Sequence, residues 1–529
     1  MMFKHPIFIL CFSLGTISPV FADIQLDNRE ADLTEINTPL KSIPVLQSLK
    51  NLSTQKNDQT PFVQELKNSD QVRTLFVSTQ DLPIVDIQLT FNAGSGQDET
   101  IGKGLFGLSN MAAKLLTEGT DQLTAKQIAS SFESLGAQFS ANAYRDMFTV
   151  RLRVLSDPDK LEPAVNLMLD ILNNATFNNS GLNLALSNTK VGQKQVQENP
   201  SRLMNIRFYR AIYGQHPYAE PSVGTQASVK KITPELLVQF KNKLLVAQNM
   251  NIAVTGNLNL DQATQLSNQI SHSLNQGETA TVLPEPIDQT DFNLHFIPFN
   301  STQAHITMGQ LGITRNDPDR VALEIANQMF GGSGFNSILM KELRVKRGYT
   351  YGAYSSLATT QARGLFSLSY STQQEQLMDS IQVAHQALIH FVSQPIAKKQ
   401  LEETREGMLR AFPMTFSSNA SINAQIAAVG FYGLPSDYLN QYQKQLNALT
   451  PLQIQQAIQK HLRADRLTLV VVANTLDQAA LLNMLKSNLE PIPQSQTTIK
   501  ITRHPLNESK SSIEPEATTP APLQDIVSP

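Results

Sequence analysis

Residues 107–120 read GLSNMAAKLLTEGT, and the side chains on this stretch decide what chemistry it can perform. Leu105, Leu108, Met111 or Ala112, and Leu115 recur at helical spacing, which predicts a helix with one buried face. Among them stand Asn110, Ala113 and Lys114, offering an amide, a methyl group and an ammonium. An ammonium repels a divalent cation, and a methyl group cannot take a proton from water. A second stretch, residues 330–352, reads FGGSGFNSILMKELRVKRGYTYG. Its Arg344 guanidinium offers donors in a fixed fork and its Tyr351 phenol offers one more, the kind of donors that stabilise a polarised carbonyl oxygen. Arg344, Lys346 and Arg347 together also suit a plain solvated helix end, where cations meet the negative end of the dipole.

Other suggestive residues carry less. His385 and His390 are five apart, which puts them on different faces of a helix, and no other histidine pair is close in sequence. Gly102, Gly104 and Gly107 spell G-x-G-x-x-G, but polar SGQDET separates them from the preceding strand, where a dinucleotide fold needs them adjacent. The run Gly331-Gly332-Ser333-Gly334 lacks the lysine and spacing of a P-loop and suits a turn between helices. In YGQHPYAEPSVGTQASVKKIT, Tyr213–Thr233, a proline-fixed turn and Gly224 lead to a Thr-Pro helix start, with His216 a turn residue.

These residues need elements to hold them, and the chain is long enough to supply several. Its 529 residues suffice for about two to four domains. The formal charge of −3 and pI near 6.3 give no electrostatic reason to expect nucleic-acid binding. Residues 1–22 have the form of a secretory signal: basic Lys4 and His5, an apolar run from Ile7 to Leu14, and Val20-Phe21-Ala22 for cleavage. The single cysteine, Cys11, lies inside that segment, preceded by Leu10 where a lipobox has a small residue. Past the signal no apolar run reaches the roughly 18 residues of a membrane span. The expected product is an exported protein without disulfides, and a bacterial periplasm suits it.

Two copies of one unit are visible. Ile232–Asn257 (ITPELLVQFKNKLLVAQNMNIAVTGN) aligns without a gap on Leu449–Asn474 (LTPLQIQQAIQKHLRADRLTLVVVAN), 217 residues later, with eight identities over 26 positions. Each starts with a threonine N-cap and proline at the first helical position, and ends in an apolar strand at Ile252–Val254 or Leu469–Val472. The same offset carries Ile87–Phe91 onto Ala304–Met308 and Asn110 onto Asn327. This predicts an α+β protein of two homologous domains, 66–275 and 293–490, each a mostly antiparallel sheet covered by helices. Residues 23–65 read as an N-terminal extension, 276–292 as an exposed Pro-rich and acidic linker, and 491–529 as a disordered tail rich in Pro, Ser, Thr and Gln.

The frame of Gly107, Leu108, Gly119 and Thr120, with its continuation Gln122–Val154, resembles the metal-binding helix of the pitrilysin and mitochondrial-processing-peptidase family, the insulinase-type inverzincins. In that frame H-x-x-E-H falls on Asn110, Ala113 and Lys114, so both histidines and the general base are replaced. The family's third ligand, a glutamate on a later helix ending near Asn-Pro, falls at about Val191 or Gly192, and no Asp or Glu occurs from Ile171 through Gln197. The resemblance covers residues 65–490. It implies a non-catalytic subunit of a heterodimeric exported metallopeptidase, with no cofactor in this chain and zinc in a homologous partner carrying H-x-x-E-H. In catalytic assemblies of the family, an arginine and a tyrosine from the segment matching Arg344 and Tyr351 reach across a central chamber to hold a short or unfolded peptide. The alternative is a catalytically inert peptide-binding or assembly protein of the same fold.

Overall fold

The two helices foreshadowed by the Thr-Pro repeats form at Pro234–Leu244 and Pro451–His461, and they start alike. Thr233 accepts a hydrogen bond from the Leu236 N–H, and Thr450 from the Gln453 N–H, so each hydroxyl satisfies a donor that the first helical turn leaves free. Each helix then leads into a buried strand. The computed structural model describes residues 60–489. The signal segment 1–22, most of the extension 23–65 and the tail 491–529 lie outside the described residues.

The first sheet contains β1 (Gln64–Leu66), β2 (Thr74–Ser78), β3 (Ile84–Phe91), β4 (Gln138–Ala143), β5 (Phe148–Leu155) and β6 (Met250–Gly256), in the order β1-β2-β6-β3-β5-β4. The second contains β7 (Asn293–Pro298), β8 (Gln303–Leu311), β9 (Ala353–Ala358), β10 (Leu365–Gln373) and β11 (Thr468–Ala473), in the order β7-β11-β8-β10-β9. Apart from the added edge strand β1, the two orders are the same arrangement used twice. In each sheet the β2–β6 or β7–β11 pair is parallel, and every other pair is antiparallel. The chain is thus α+β, built as two halves of one plan.

Strand alternation gives each sheet two different faces. Ile87, Leu89 and Phe91 on β3 and Phe148, Val150 and Leu152 on β5 enter the core of the first half, under the helices Pro158–Asn174 and Leu260–Ser273. On the other face the same strands show Asp86, Gln88, Arg151 and Arg153. Arg153 grips the buried Asp86 carboxylate through Nε at 2.9 Å and Nη2 at 3.1 Å, and Arg151 Nε donates to Gln88 Oε1 at 2.8 Å.

A helix from the opposite half covers part of each polar face. Pro200–Tyr213 belongs to the first half but sets Met204, Phe208, Ile212 and Tyr213 against Leu311, Leu365, Val470 and Val472 of the second sheet. Its counterpart Asn419–Phe431 sets Ile422, Ile426, Ala427 and Val429 against Leu75, Val77 and Ala253 of the first. Burying each large aliphatic or aromatic side chain in such a contact contributes about 1.5–3 kcal/mol. Phe208 seats where β8 has Gly309; a Cβ there would lie 2.2 Å from the Phe366 carbonyl oxygen of β10 and 3.0 Å from the Phe208 Cζ, and it is the strand contact that requires glycine. Asn423 completes the seal at the first sheet by donating from Nδ2 to the Asp86 carbonyl at 2.9 Å.

The linker 276–292 is exposed along most of its length and is anchored at several points. Gln97 Nε2 donates to Thr281 O and His216 Nε2 bonds Pro284 O, each at 2.8 Å, while Arg363 Nη1 lies 2.9 Å from both Asp288 oxygens. Most of its residues are exposed, the apolar Val282 and Ile287 among them, while Pro286 is buried. Beside it the buried Asp146 accepts from the Tyr218 hydroxyl of the first half, and from the Tyr432 hydroxyl and Gln361 N–H of the second, the latter two at 2.9 Å. Burial pushes its carboxyl pKa up against those donors.

The exchange makes a specific prediction. Phe208→Ala removes a ring that the first half lends to the second sheet, and should cost about 3–5 kcal/mol in denaturant titration. Amide exchange should accelerate more on β8 and β11 than on β3 and β5, which would not occur if each half were sealed by its own helices.

Candidate functional site

The 107–120 stretch forms the helix Leu108–Leu115, and its position is set by backbone contacts. Gly107 opens it at φ 93°, a left-handed conformation, and a Cβ there would come within 2.8 Å of Val223 O and 2.9 Å of the Gly224 Cα. Asp98, fully buried, accepts from the Gly107 N–H at 2.7 Å and the Ser109 N–H at 2.9 Å, holding the first turn with both oxygens. Burial raises its pKa to about 7, although those N–H donors pull the other way. Leu108, Met111, Ala112 and Leu115 are buried in the core, as their spacing predicts.

Asn110 and Ala113 are half-buried and Lys114 is exposed, so these three lie at the rim of the core, with Ala113 still packed against it. Partial desolvation of the Lys114 ammonium lowers its pKa below the ordinary lysine value. The wall opposite is the helix Asn179–Gln197, which runs antiparallel. Near its start Asn178 Nδ2 donates to Glu118 O at 2.8 Å, and a Cβ on Gly181 would lie 3.0 Å from Glu118 Cγ. Near its end Gln193 Nε2 donates to Gly224 O at 3.2 Å, beside Gly107. Between these fixed ends the stretch 185–189, with Thr189 buried and Ala185 and Leu186 packed against the core, runs alongside the helix Leu108–Leu115.

Val191 and Gly192, where the sequence frame puts a third ligand, lie on this helix, Val191 58% exposed and Gly192 half-buried. Neither of these, nor Thr189, Ala185 or Leu186, offers a carboxylate. A tetrahedral zinc site of the hydrolytic type needs three imidazole, thiolate or carboxylate ligands with an open position. An amide, an ammonium, a hydroxyl and two hydrocarbon side chains do not fit that ion.

The Arg344–Tyr351 segment is built by a π-helical turn, Met340–Val345, which the sequence reading took for an ordinary helix end. Its wide ring closes through Lys346 N donating to Lys341 O at 3.0 Å. Gly348, at φ 67°, ends it with its N–H on Arg344 O at 2.9 Å and releases the chain toward Tyr351. Of the three cations here, Lys346 and Arg347 both pair with Glu342, at 2.6 and 2.8 Å. Arg344 has no carboxylate partner among the described residues; its guanidinium carbon lies 4.6 Å from the centre of the Phe335 ring. Phe335, in the glycine loop and 64% exposed, is a residue that the sequence reading passed over. Tyr351 is 86% exposed, and no hydrogen bond links it to Arg344 among the described residues.

One further grouping could not be seen in the linear sequence. Ligand atoms of Asp317, Asp319 and His461 lie within 4.8 Å of one another. Lys460 Nζ already sits 2.6 Å from Asp319 Oδ2 and His461 Nε2 2.8 Å from it. Partial burial opposes ionisation of Asp319, yet these two hydrogen bonds hold its pKa below the usual carboxylate value. The cluster is an ion-pair network at the start of the helix Arg320–Gly331. His216 and His385 serve as structural links: His216 Nδ1 accepts from Tyr218 N, and His385 Nε2 bonds Ala464 O at 2.8 Å.

Two domain models match the chain, one described as insulinase (peptidase family M16) over residues 73–226 and one as the peptidase M16 inactive domain over residues 231–408. The crystal structure of a peptidase M16 inactive domain from Pseudomonas fluorescens superposes with a TM-score of 0.74 at 33% identity, covering 78% of this chain and 98% of that one. An uncharacterized zinc protease of Rickettsia felis is 26% identical over 388 residues, spanning 71% of this chain and 90% of its own length. The non-peptidase homolog YmxG of Helicobacter pylori is 22% identical over 416 residues, or 77% and 93%. Relatives at similar distances carry opposite descriptions, so the site residues must decide between them.

Asp98 gives the site a pH signature. Its pKa is raised on folding, so the stability it contributes is complete below the ordinary carboxylate value of 3.8 and is lost as pH rises through about 7. Asp98→Asn removes that titration. In denaturation curves the wild type should lose stability relative to this variant between pH 4 and 7; a constant difference across that range would refute the assignment.

Proposed function

The chain belongs to peptidase family M16, the insulinase family, and on that premise we propose that it is the non-catalytic subunit of an exported heterodimeric metallopeptidase. A homologous partner carrying H-x-x-E-H and its distant glutamate would hold the zinc and activate water. This chain would form the facing wall of the chamber and present Arg344 and Tyr351 to the peptide. Export rests on the signal-like segment 1–22, and a bacterial periplasm is the compartment we assign. Short or unfolded peptides are the substrates such a chamber admits.

One observation carries the reading. Glu342 accounts for Lys346 and Arg347, which satisfies the demands of a basic helix end, while Arg344 and Tyr351 keep their donors for something else. A guanidinium and a phenol of this kind suit a carbonyl oxygen that gains negative charge. The residues at the zinc positions cannot generate the nucleophile, so the reaction would have to be completed from another chain. The family match to an M16 inactive domain supports the same division of labour.

Mixing the purified chain with an exported homologue bearing the full zinc motif tests this directly. Peptide hydrolysis should rise well above that of the homologue alone. Arg344→Ala and Tyr351→Phe should each lower turnover in the complex by about 10- to 1,000-fold without changing its assembly on a sizing column. If hydrolysis is the same with and without this chain, the subunit model fails and the peptide-binding or assembly role replaces it.

Metal analysis provides a separate check. The chain purified alone should carry well under one zinc per molecule, and removal of metal by a chelator should leave its melting temperature unchanged. Stoichiometric zinc that resists dialysis would overturn the account of Asn110, Ala113 and Lys114.

A further inference from the structure

Tyr351 stands in a groove whose composition is one-sided. The groove encloses about 530 Å³, within the range of small-ligand clefts, and opens on the polar face of the second sheet. Ser369 and Ser371 of β10 and His305 of β8 form its floor, Tyr351 and Tyr354 stand on one side, and Ser201 from the helix Pro200–Tyr213 on the other. Not one lining residue is an Asp, Glu, Lys or Arg. His305 shares Nδ1 with Ser371 Oγ at 2.8 Å and lies 3.4 Å from Ser201 Oγ, so the floor is tied to the helix lent by the other half. Burial lowers the His305 pKa and favours the neutral ring.

We propose that this groove is a peptide subsite that selects an uncharged segment bearing an aromatic side chain, with Tyr354, His305 and Ser369 as specificity-determining residues beyond Arg344 and Tyr351. The proposal rests on the reading of this chain as a peptide-holding wall and deepens it by naming the substrate class. Three features carry it. Tyr351, 86% exposed, and Tyr354, 50% exposed, present ring surface that solvent does not satisfy and that an aromatic side chain can stack on. Serine hydroxyls both donate and accept, which suits the alternating N–H and C=O groups of a peptide backbone. A charged side chain entering the groove would lose water and gain no counter-charge, which penalises lysine and glutamate alike.

The chain contains no tryptophan, so fluorescence from a tryptophan-bearing peptide reports binding without background from the protein. The probes are capped pentapeptides with a central tryptophan flanked by serine and glycine, by aspartate, or by lysine, titrated against the full chain alone. The neutral peptide should bind about tenfold more tightly than either charged one. Tyr354→Ala should weaken it about 3- to 10-fold, and Tyr354→Phe should restore it. Ser369→Asp, an exposed substitution that leaves the core untouched, should reverse the order in favour of the lysine-flanked peptide.

Equal binding of the three peptides, binding of none, or an order that Ser369→Asp leaves unchanged would each overturn the proposal. The assay needs no partner chain, so the two readings fail separately. Selective binding with no effect on a partner's hydrolysis sinks the subunit model alone. A stimulated partner with unselective binding sinks the groove assignment alone.

Discussion

Each of two helices seals the sheet of the half to which it does not belong, and the remainder of the structure depends on that exchange. Pro200–Tyr213 and Asn419–Phe431 occupy equivalent places in the repeat, so the two apolar seams they make are versions of a single contact. A sheet with one face buried under its own helices still has a second face to satisfy, and here that face is apolar only where the borrowed helix lies. Elsewhere it stays polar: Asp86 with Arg153 in the first half, His305 with Ser371 in the second. The exchange therefore fixes which parts of the inner faces are sealed and which remain open to a ligand. It also brings Ser201 of the first half to the groove of the second, so that groove cannot be complete in either half alone.

Within this frame the 107–120 helix separates scaffold from chemistry. The residues that fix its place are Gly107, whose backbone abuts Gly224, Asp98, which holds the first turn, and the buried Leu108, Met111 and Leu115. The glycine and the hydrocarbon side chains cannot ligate a metal, and the Asp98 oxygens are taken by backbone N–H groups. Asn110, Ala113 and Lys114 sit at the rim, half-buried or exposed, where a change of side chain disturbs the core less than at Leu108 or Met111. A catalytic metal site keeps an open coordination position and is carried by an already folded scaffold, unlike a structural zinc whose binding supplies the folding energy. Losing the ligands can then remove the chemistry and leave the fold intact, which explains why the helix is still recognisable after its reactive groups have gone.

What the sequence made legible follows the same division. The duplication could be read because a Thr-Pro helix start and the apolar strand after it are local signals, repeated 217 residues apart, and their copies appear at Pro234–Leu244 with β6 and Pro451–His461 with β11. The buried face at Leu108, Met111 and Leu115 was visible as periodicity. The exchange was hidden, since an amphipathic helix does not state which sheet its stripe will meet. The pairing of Leu108–Leu115 with Asn179–Gln197 was hidden too, because the register between two helices is set by contacts at their ends, here Glu118 with Gly181 and Gln193 with Gly224. The π-helical turn at Met340–Val345 leaves no compositional mark, and the His461 cluster joins residues more than a hundred positions apart. Phe335 was overlooked because the glycines around it suggested only a turn.

That overlooked ring bears on how Arg344 can act. A guanidinium over an exposed aromatic ring gains about 0.5–1 kcal/mol. A hydrogen bond from a charged donor to a carbonyl oxygen contributes about 1.5–3 kcal/mol, and more as negative charge develops on the oxygen. The Phe335 contact therefore biases the Arg344 side chain toward the ring and is too weak to retain it against a polarised carbonyl. A carboxylate partner would have reversed that balance, which is why the capture of Lys346 and Arg347 by Glu342 matters as much as the position of Arg344 itself. On the proposed reading, the wall keeps one guanidinium beside an aromatic ring and, among the described residues, free of any carboxylate. Its binding energy is then held for the moment when a partner's zinc polarises the peptide bond.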